Sequence, residues 1–269
     1  MGAGKLRIGR MSYANLFPIF YILEKECDCS DYEFIEGVPS ELNKKIREGE
    51  IDICPSSSIE YLRYSEKYDL VENHSISSKG PVGSILLFSR RPIETLSGQA
   101  VLTSSQSETS VAMLQIILKK FYEAECRFKT SSAGLGDAIK SYPAYMLIGD
   151  DAMVEALKWP KLYIYDIGEL WFKNTGLPSV FALWIIKKDC CTEKTHVLKR
   201  FLRDLDKAKS SALKNLKTIA SASTLSNTFP VEELVLYWKG ISYDLGDEHK
   251  KGLELFRRYA EELGLIKIS

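Results

Sequence analysis

Three turns rich in hydroxyl groups follow predicted strands of this 269-residue chain, at residues 12–15, 56–58 and 104–110. Hydroxyls, an amide and free backbone N–H groups at the carboxyl edge of a sheet are suited to binding a small anion such as a carboxylate. No Gly-x-Ser-x-Gly segment is present and no histidine follows a predicted strand. The pattern therefore indicates an anion-binding site and gives no sign of a nucleophile with its base.

The third turn and a pair of acidic residues each permit two interpretations. Ser105 and Glu108 have capping-box spacing, so Ser105 could simply cap a helix. The amides near Ser107, Thr109 and Ser110 would equally suit a carboxylate at the positive end of the helix dipole. Asp150 and Asp151 follow a predicted strand, where one could cap the next helix and the other could reach a ligand.

Composition excludes several classes of partner and cofactor. Equal numbers of basic and acidic residues, 36 each, leave no field to attract nucleic acid or a membrane surface. The first residues lack the apolar core of a signal peptide, and no apolar run is long enough to span a bilayer, so we expect a soluble, cytoplasmic protein. The cysteines lack Cys-x-x-Cys spacing and the histidines are scattered, so we expect no metal site, no cofactor and reduced thiols. The cysteines are Cys27, Cys29, Cys54, Cys126, Cys190 and Cys191.

The elements that must position the turns follow from hydrophobic periodicity. Strands are predicted at 32–36, 51–55, 69–78, 85–88, 100–103, 126–129, 144–148, 162–165 and 180–186, besides the first strand, which begins at Leu6. Helices are predicted at 16–23, 40–48, 59–64 and 111–122, and everything after Thr192 is predicted to be helical. Repeated strand–helix units indicate a parallel sheet with helices on its faces.

The two longest apolar runs, 84–88 and 180–186, are interpreted as strands that carry the chain between two lobes. The predicted fold is α/β, with residues 1–89 and 187–269 forming lobe I and residues 90–186 inserted as lobe II. Such a layout predicts a ligand cleft between the lobes.

Seven segments resemble one family of enzymes. They are IGRMSYAN (8–15), GVPSELN (37–43), DICPSSSIEY (52–61), GPVGSILLFS (80–89), SETSV (107–111), LIGDDA (147–152) and GLPSVFALW (176–184). In order and number they resemble the chorismate dehydratases of the futalosine route to menaquinone, over about residues 5–188. The resemblance implies a two-lobed fold of the type II periplasmic-binding-protein class, and loss of water from chorismate to give 3-[(1-carboxyvinyl)oxy]benzoate without metal or cofactor.

From the chemistry of that reaction we form a hypothesis for the roles of particular residues. Asn15 would orient the reacting ring and its leaving hydroxyl, and the helix end at Ser107, Thr109 and Ser110 would hold one carboxylate. The further binding residues expected are Ser12, Ser56, Ser57, Ser84 and Asp150, with the three serines at 56, 57 and 84 lining the other lobe. The substrate's own second carboxylate is the expected proton acceptor.

Two alternatives remain open on the sequence. The first is a non-catalytic receptor for a small carboxylate, since binding small molecules without catalysis is the usual function of proteins with the implied fold. The sister enzyme of the route, 1,4-dihydroxy-6-naphthoate synthase, shares that fold but typically carries a Cys-Pro-Asn-Asp-type motif where this chain has Ser12-Tyr13-Ala14-Asn15. Ala14 departs from the larger apolar residue usual in the chorismate dehydratases, which we expect to affect packing only. The sequence gives no oligomeric state.

Overall fold

A computed structural model describes residues 4–188 and 194–267 of the chain as a mixed α/β protein. The strands are β1 (Leu6–Arg10), β2 (Tyr32–Glu36), β3 (Ile53–Ser57), β4 (Tyr68–Ser78), β5 (Ile85–Ser89), β6 (Ala100–Ser104), β7 (Arg127–Ser131), β8 (Ala144–Ile148), β9 (Tyr163–Asp166), β10 (Ser179–Lys187) and β11 (Ile241–Ser242). The α-helices are α1 (Phe17–Glu26), α2 (Pro39–Glu48), α3 (Ser58–Arg63), α4 (Glu108–Phe121), α5 (Leu135–Ser141), α6 (Gly149–Lys158), α7 (Ile167–Thr175), α8 (Thr195–Lys214), α9 (Leu216–Ala222), α10 (Val231–Gly240) and α11 (Asp247–Glu262).

The first of two compact units comprises the chain up to Ile76 together with Ala182–Asp244. Its six-stranded sheet has the order β11-β4-β10-β3-β1-β2, with β1 parallel to β2 and β3, and β10 antiparallel to β3. Pro18 lies in the first turn of α1, where a missing N–H costs no helical bond. Gly49 ends α2 in the left-handed conformation with φ of 83°, as its position in the sequence predicts.

The second unit comprises Ser77–Phe181 together with the chain from Leu245 onward. Its five-stranded sheet has the order β7-β6-β8-β5-β9. Strand β6 is parallel to β7 and β8, whereas β5 is antiparallel to both β8 and β9. The carboxyl ends of β6, β7, β8 and β9 therefore lie at one edge of this sheet, beside the start of β5.

The division of the chain differs from the predicted boundaries at 89/90 and 186/187. Strand β5, expected to carry the chain between lobes, lies inside the second sheet because it hydrogen-bonds to a strand on each side. The strands that span the division are β4 and β10. Helix α11, expected in the first lobe, belongs to the second unit, where Phe256 and Tyr259 pack edge-on against Trp171 with ring centroids 6.2 and 6.3 Å apart.

Several element bounds also differ. Strand β3 extends to Ser57, so Ser56 and Ser57 belong to the strand and not to the turn after it. Helix α5 was not predicted, and β11 interrupts a region expected to be entirely helical. Cys190, Cys191 and Thr192 lie outside the described residues, whereas Cys27, Cys29, Cys54 and Cys126 are free thiols. In the described ranges, no helix is both long and apolar enough to cross a bilayer.

Candidate functional site

A single 3-10 turn, Ala14–Leu16, follows β1 and carries Asn15. Two side chains from the C-terminal part of the same unit hold its backbone. Trp238 Nε1 donates to the Ala14 carbonyl at 2.8 Å, and the Tyr243 hydroxyl donates to the Asn15 carbonyl at 2.7 Å. Burial raises the pKa of Tyr243, which keeps its hydroxyl protonated and able to donate. The turn is therefore held by other parts of the unit, and the Asn15 side chain is not needed to hold it.

The Asn15 side chain contains a buried acceptor without a partner. Its Oδ1 has no hydrogen bond to any residue in the described part of the chain. Leaving a buried polar group unsatisfied costs about 1–3 kcal/mol, so native proteins tolerate few of them. Ser12, three residues earlier, is exposed to solvent. Of these two predicted residues, Asn15 has the environment of a ligand-binding group.

Ser56 is a second residue whose side chain contains a buried polar atom without a hydrogen bond to the described part of the chain. It is completely buried in β3, opposite Leu183 of β10, and within the described ranges its Oγ makes no hydrogen bond of good geometry, although it interacts with the Cys54 thiol and lowers the pKa of that thiol. Strands β1 and β3 are parallel with Ile8 opposite Ile53, so both end at the same edge of the first sheet. The two unpartnered atoms, Asn15 Oδ1 and Ser56 Oγ, therefore belong to segments at one sheet edge.

Cys54 precedes Ser56 by two residues and has a packing role. It is fully buried, and burial raises the pKa of its thiol to about 12, so it is not a thiolate at neutral pH. A methyl group at Gly9 on the neighbouring strand would collide with Cys54 Sγ. Burial and close packing thus make Cys54 a structural thiol.

Ser57 is held by a residue that the sequence did not reveal. Asn43 of α2 is buried, with 1% of its surface exposed, and its carboxamide contacts Ser57 twice. Its Oδ1 accepts from the Ser57 backbone N–H at 3.3 Å, and its Nδ2 donates to Ser57 Oγ at 2.8 Å. In the sequence, Asn43 is the last residue of the resembling segment 37–43 and lies on the face of α2 that buries Leu42 and Ile46.

The predicted carboxylate-binding turn lies at the start of α4. Ser107 is the N-cap residue, and its Oγ accepts from the Ser110 backbone N–H at 3.4 Å and donates to Ser110 Oγ at 2.8 Å. Ser105, the alternative cap, precedes the helix by three residues and does not cap it. Thr109 and Ser110 are buried. This 14-residue helix therefore presents a capped N-terminus at the carboxyl end of β6.

Ser84 and Asp150 lie close together at the same edge of the second sheet. The Gly149 backbone N–H donates to the Ser84 carbonyl at 2.7 Å, where β5 begins beside the end of β8. Ser84 therefore belongs with the residues at the start of α4 and not, as expected, with Ser56 and Ser57. Asp150 lies in the first turn of α6, and Ile148 is the N-cap residue, so neither Asp150 nor its neighbour caps that helix.

The loop that precedes Ser84 is held by a buried carboxylate. Asp166 accepts hydrogen bonds from the backbone N–H groups of Val82 at 3.0 Å and Gly83 at 2.6 Å, and from Glu169 N–H at 3.0 Å as the cap of α7. Burial raises the pKa of Asp166, while the N–H donors act in the opposite direction. The loop part of the resembling segment 80–89 thus has a structural explanation.

A pocket of about 250 Å³ opens in the second unit near the ends of β6 and β7. It is lined by Ser104, Ser105, Gln106, Ser131, Ser132, Ala133, Gly134, Leu135, Tyr145, Leu147, Asp151 and Glu155. None of the predicted catalytic or binding residues lines it. Asp151 and Glu155 place carboxylates on its wall, the second of them paired with Lys158, and this lining disfavours a dianion. Across the described residues, no group of three or more His, Cys, Asp or Glu side chains could hold a metal ion.

Comparison with known proteins identifies the family. A family model described as menaquinone biosynthesis matches residues 6–262. The chain belongs to the menaquinone biosynthesis family. A chorismate dehydratase from Thermus thermophilus is 30% identical over 275 residues, covering 96% of this chain and 95% of the relative. The resemblance seen in the sequence is therefore confirmed.

Solved structures show which fold this member of the menaquinone biosynthesis family adopts. A protein from Archaeoglobus fulgidus matches with a TM-score of 0.80 and 18% identity, covering 97% of this chain and 98% of that chain. The periplasmic aliphatic sulphonate binding protein of Escherichia coli matches with a TM-score of 0.69 and 11% identity, covering 98% and 89%. The predicted fold class, an α/β chain with the two lobes of a periplasmic binding protein, is confirmed.

Proposed function

We propose that this protein is a chorismate dehydratase that eliminates water from chorismate to give 3-[(1-carboxyvinyl)oxy]benzoate. The observation that carries the proposal is the buried, unpartnered Asn15 Oδ1, in a turn whose backbone is held by Trp238 and Tyr243. A rigid turn that carries a side-chain acceptor without a hydrogen bond is suited to holding a substrate group in one orientation. The likeness to the Thermus thermophilus enzyme supplies the substrate.

The reaction requires two bonds to break on adjacent ring carbons. The C–H bond at the carbon bearing the enolpyruvyl ether loses its proton, and the electron pair moves through the ring diene toward the ring carboxylate. The C–O bond at the neighbouring carbon then breaks, hydroxide leaves, and the ring becomes aromatic. Proton and hydroxide together make up the released water, so the step needs no oxidant or reductant. Hydrogen-bond donors near the ring carboxylate would stabilise the negative charge that develops there.

Each proposed contact follows from a described group. Asn15 Oδ1 accepts from the ring hydroxyl and aligns its C–O bond with the ring π system. The hydroxyls of Ser56 and Ser57 donate to a substrate carboxylate. The start of α4, with Ser107, Thr109 and Ser110, binds a carboxylate at the positive end of the helix dipole.

The enolpyruvyl carboxylate of the substrate accepts the proton, because the sequence offers no better base.

Three predicted binding residues have no substrate contact assigned to them. Ser84 and Asp150 remain predicted binding residues in the second unit. Ser12, whose side chain is exposed to solvent, also remains a predicted binding residue.

The test is incubation of the purified protein with chorismate in metal-free buffer, followed by chromatography and mass spectrometry. We expect a product lighter by one water that has the ultraviolet spectrum of a substituted benzoate. Buffer alone and heat-denatured protein measure spontaneous loss of chorismate. Chorismate that is unchanged but raises the melting temperature would indicate a binding protein instead. If chorismate has neither effect, turnover of cyclic dehypoxanthinylfutalosine would indicate the sister enzyme.

A further inference from the structure

Asn43, a buried residue of the first unit, forms hydrogen bonds with the predicted binding residue Ser57. Its carboxamide is oriented without ambiguity, because the Ser57 backbone N–H can only donate and must face Asn43 Oδ1. The Nδ2 group must then face Ser57 Oγ, at 2.8 Å. The Ser57 hydroxyl is thus an acceptor toward Asn43, which leaves its own hydrogen to donate to a second group.

Ser57 does not use its side chain in the way usual for its position. It is the N-cap residue of α3, where a serine hydroxyl commonly accepts from an N–H in the first turn of the helix. Here the side chain makes no capping hydrogen bond. The contact with Asn43 takes the place of the cap and sets the direction in which the hydroxyl hydrogen can point.

We propose that Asn43 is a positioning residue that fixes the Ser57 hydroxyl as a hydrogen-bond donor for a carboxylate of the substrate. This rests on the proposed function, since chorismate supplies the carboxylate. Asn43 is buried and does not itself contact the substrate. It acts by orienting one donor before the substrate arrives, which avoids an ordering cost at binding.

A double-mutant cycle on Asn43 and Ser57 tests the proposal. Ser57→Ala should lower kcat/KM for chorismate by about 10- to 100-fold, as expected for a hydrogen bond to a charged group. Asn43→Ala should lower it by about 10-fold, mainly through a higher KM. In the Ser57→Ala background, Asn43→Ala should have less than about a twofold further effect, because the hydroxyl that it orients is already gone.

Two controls separate positioning from general destabilisation. Asn43→Leu keeps most of the buried volume while removing both hydrogen bonds, and should lower kcat/KM as Asn43→Ala does. Tyr68→Phe removes a buried hydrogen bond to Glu60 in the same unit. It should lower the melting temperature without changing KM for chorismate.

The outcomes separate this proposal from the proposed function. A wild-type protein that turns over chorismate, together with an Asn43→Ala effect that persists in full in the Ser57→Ala background, would overturn the positioning role alone. A wild-type protein that leaves chorismate unchanged would overturn the proposed function, and the donor role toward this substrate with it.

If neither Asn43 variant folds, NMR spectra of the wild-type and Ser57→Ala proteins decide the matter. The Asn43 side-chain amide resonance should shift when the benzoate product binds to the wild type, and should stay in place in Ser57→Ala. An unchanged resonance in the wild type would contradict the proposal.

Discussion

Buried polar groups of the first unit fall into two kinds. Glu60 is fully buried, yet its carboxylate accepts from the Arg47 guanidinium at 2.9 and 3.0 Å and from the Tyr68 hydroxyl at 2.7 Å. In the part of the chain that the structure describes, Asn15 Oδ1 and Ser56 Oγ are buried without any hydrogen-bond partner. Groups of the first kind are satisfied within the protein, whereas under the proposed function those of the second kind bind the substrate.

The difference shows that burial by itself does not indicate function. Asp52 is another group of the first kind, fully buried and paired with Arg7 at 2.5 Å and Lys194 at 2.7 Å. Burial alone would raise the pKa of Asp52, but hydrogen bonds from Arg7 and Lys194 outweigh it and hold that pKa below its usual range. Substitutions should therefore affect folding at the satisfied groups and activity at the unsatisfied ones.

Asn15→Ala should show the largest effect on activity. We expect kcat to fall by about 100-fold, the cost of misplacing a reacting group by roughly 1 Å. The melting temperature should stay the same or rise, because the substitution removes a buried acceptor that has no partner. Turnover of chorismate and thermal unfolding measure the two effects. The exposed Asn227 provides the control, since Asn227→Ala should change neither. Full turnover in Asn15→Ala would show that the catalytic role is wrong.

Glu60→Gln should show the opposite pattern. Removing one partner of a buried ion pair leaves the Arg47 charge uncompensated, and we expect the free energy of unfolding to fall by about 3 kcal/mol in urea titrations. At a temperature where the variant is folded, kcat/KM should stay within about twofold of wild type. Glu254→Gln removes a carboxylate that pairs with Arg257 at the surface and should cost less than about 1 kcal/mol. Equal losses for the two variants would contradict the distinction between satisfied and unsatisfied groups.

Ser56→Ala should resemble Asn15→Ala with a smaller magnitude. A single hydroxyl that donates to a carboxylate is worth about 1.5 kcal/mol or more, so kcat/KM should fall at least about 10-fold. Folding stability should be unchanged or slightly higher, because Ser56 Oγ is buried without a partner in the described ranges. Steady-state kinetics and calorimetry provide the measurements. A large loss of stability would instead place Ser56 among the structural groups.

The smallest effect expected is a dependence of stability on pH. His74 is buried in the first unit, with its Nε2 2.8 Å from the exposed Asp206 and with Lys209 and Asp244 also nearby. Burial lowers the pKa of His74, against the hydrogen bond to Asp206. The unfolded chain then binds more protons just below the ordinary value of 6.5, so stability is complete above that pH and declines below it.

His74→Gln should make this decline shallower, because glutamine does not titrate. Urea titrations at a series of pH values between about 5 and 8 measure the slope for both proteins. Equal slopes for the two proteins would show that His74 does not contribute to the pH dependence of stability.

Much of the fold could be predicted because local chemistry determines local structure. The predicted helices at 16–23 and 40–48 and the predicted strand at 32–36 correspond to α1, α2 and β2. The predicted end of β3 was wrong because serines such as Ser56 and Ser57 are typical of turns. Their pairing with β10 is a long-range contact that the local sequence does not show. The same reason explains the boundaries of the units, since the neighbours of β5 on both sides come from later in the chain.

The polar segments at 12–15 and 104–110 lie at the carboxyl ends of β1 and β6, whereas the predicted turn at 56–58 is the end of β3 and the start of α3. The role of Asn15, the residue singled out for chemistry, stays a prediction. Which polar atoms are satisfied depends on distant residues such as Trp238 and Tyr243, which no local pattern reveals. Asn43 was missed because one polar residue within an amphipathic helix gives only a weak signal.

The strand order of the first sheet has a consequence for the synthesis of the protein. Strand β10 lies between β3 and β4 in that sheet, yet it begins about 120 residues after β3 ends. At about 5–20 residues per second, the ribosome needs on the order of ten seconds to deliver it. During that time the growing chain has β3 with an open edge, which is able to pair with other chains. We therefore expect nascent chains that stall after β3 to need protection by chaperones, and the duration of that risk to be set by the rate of translation.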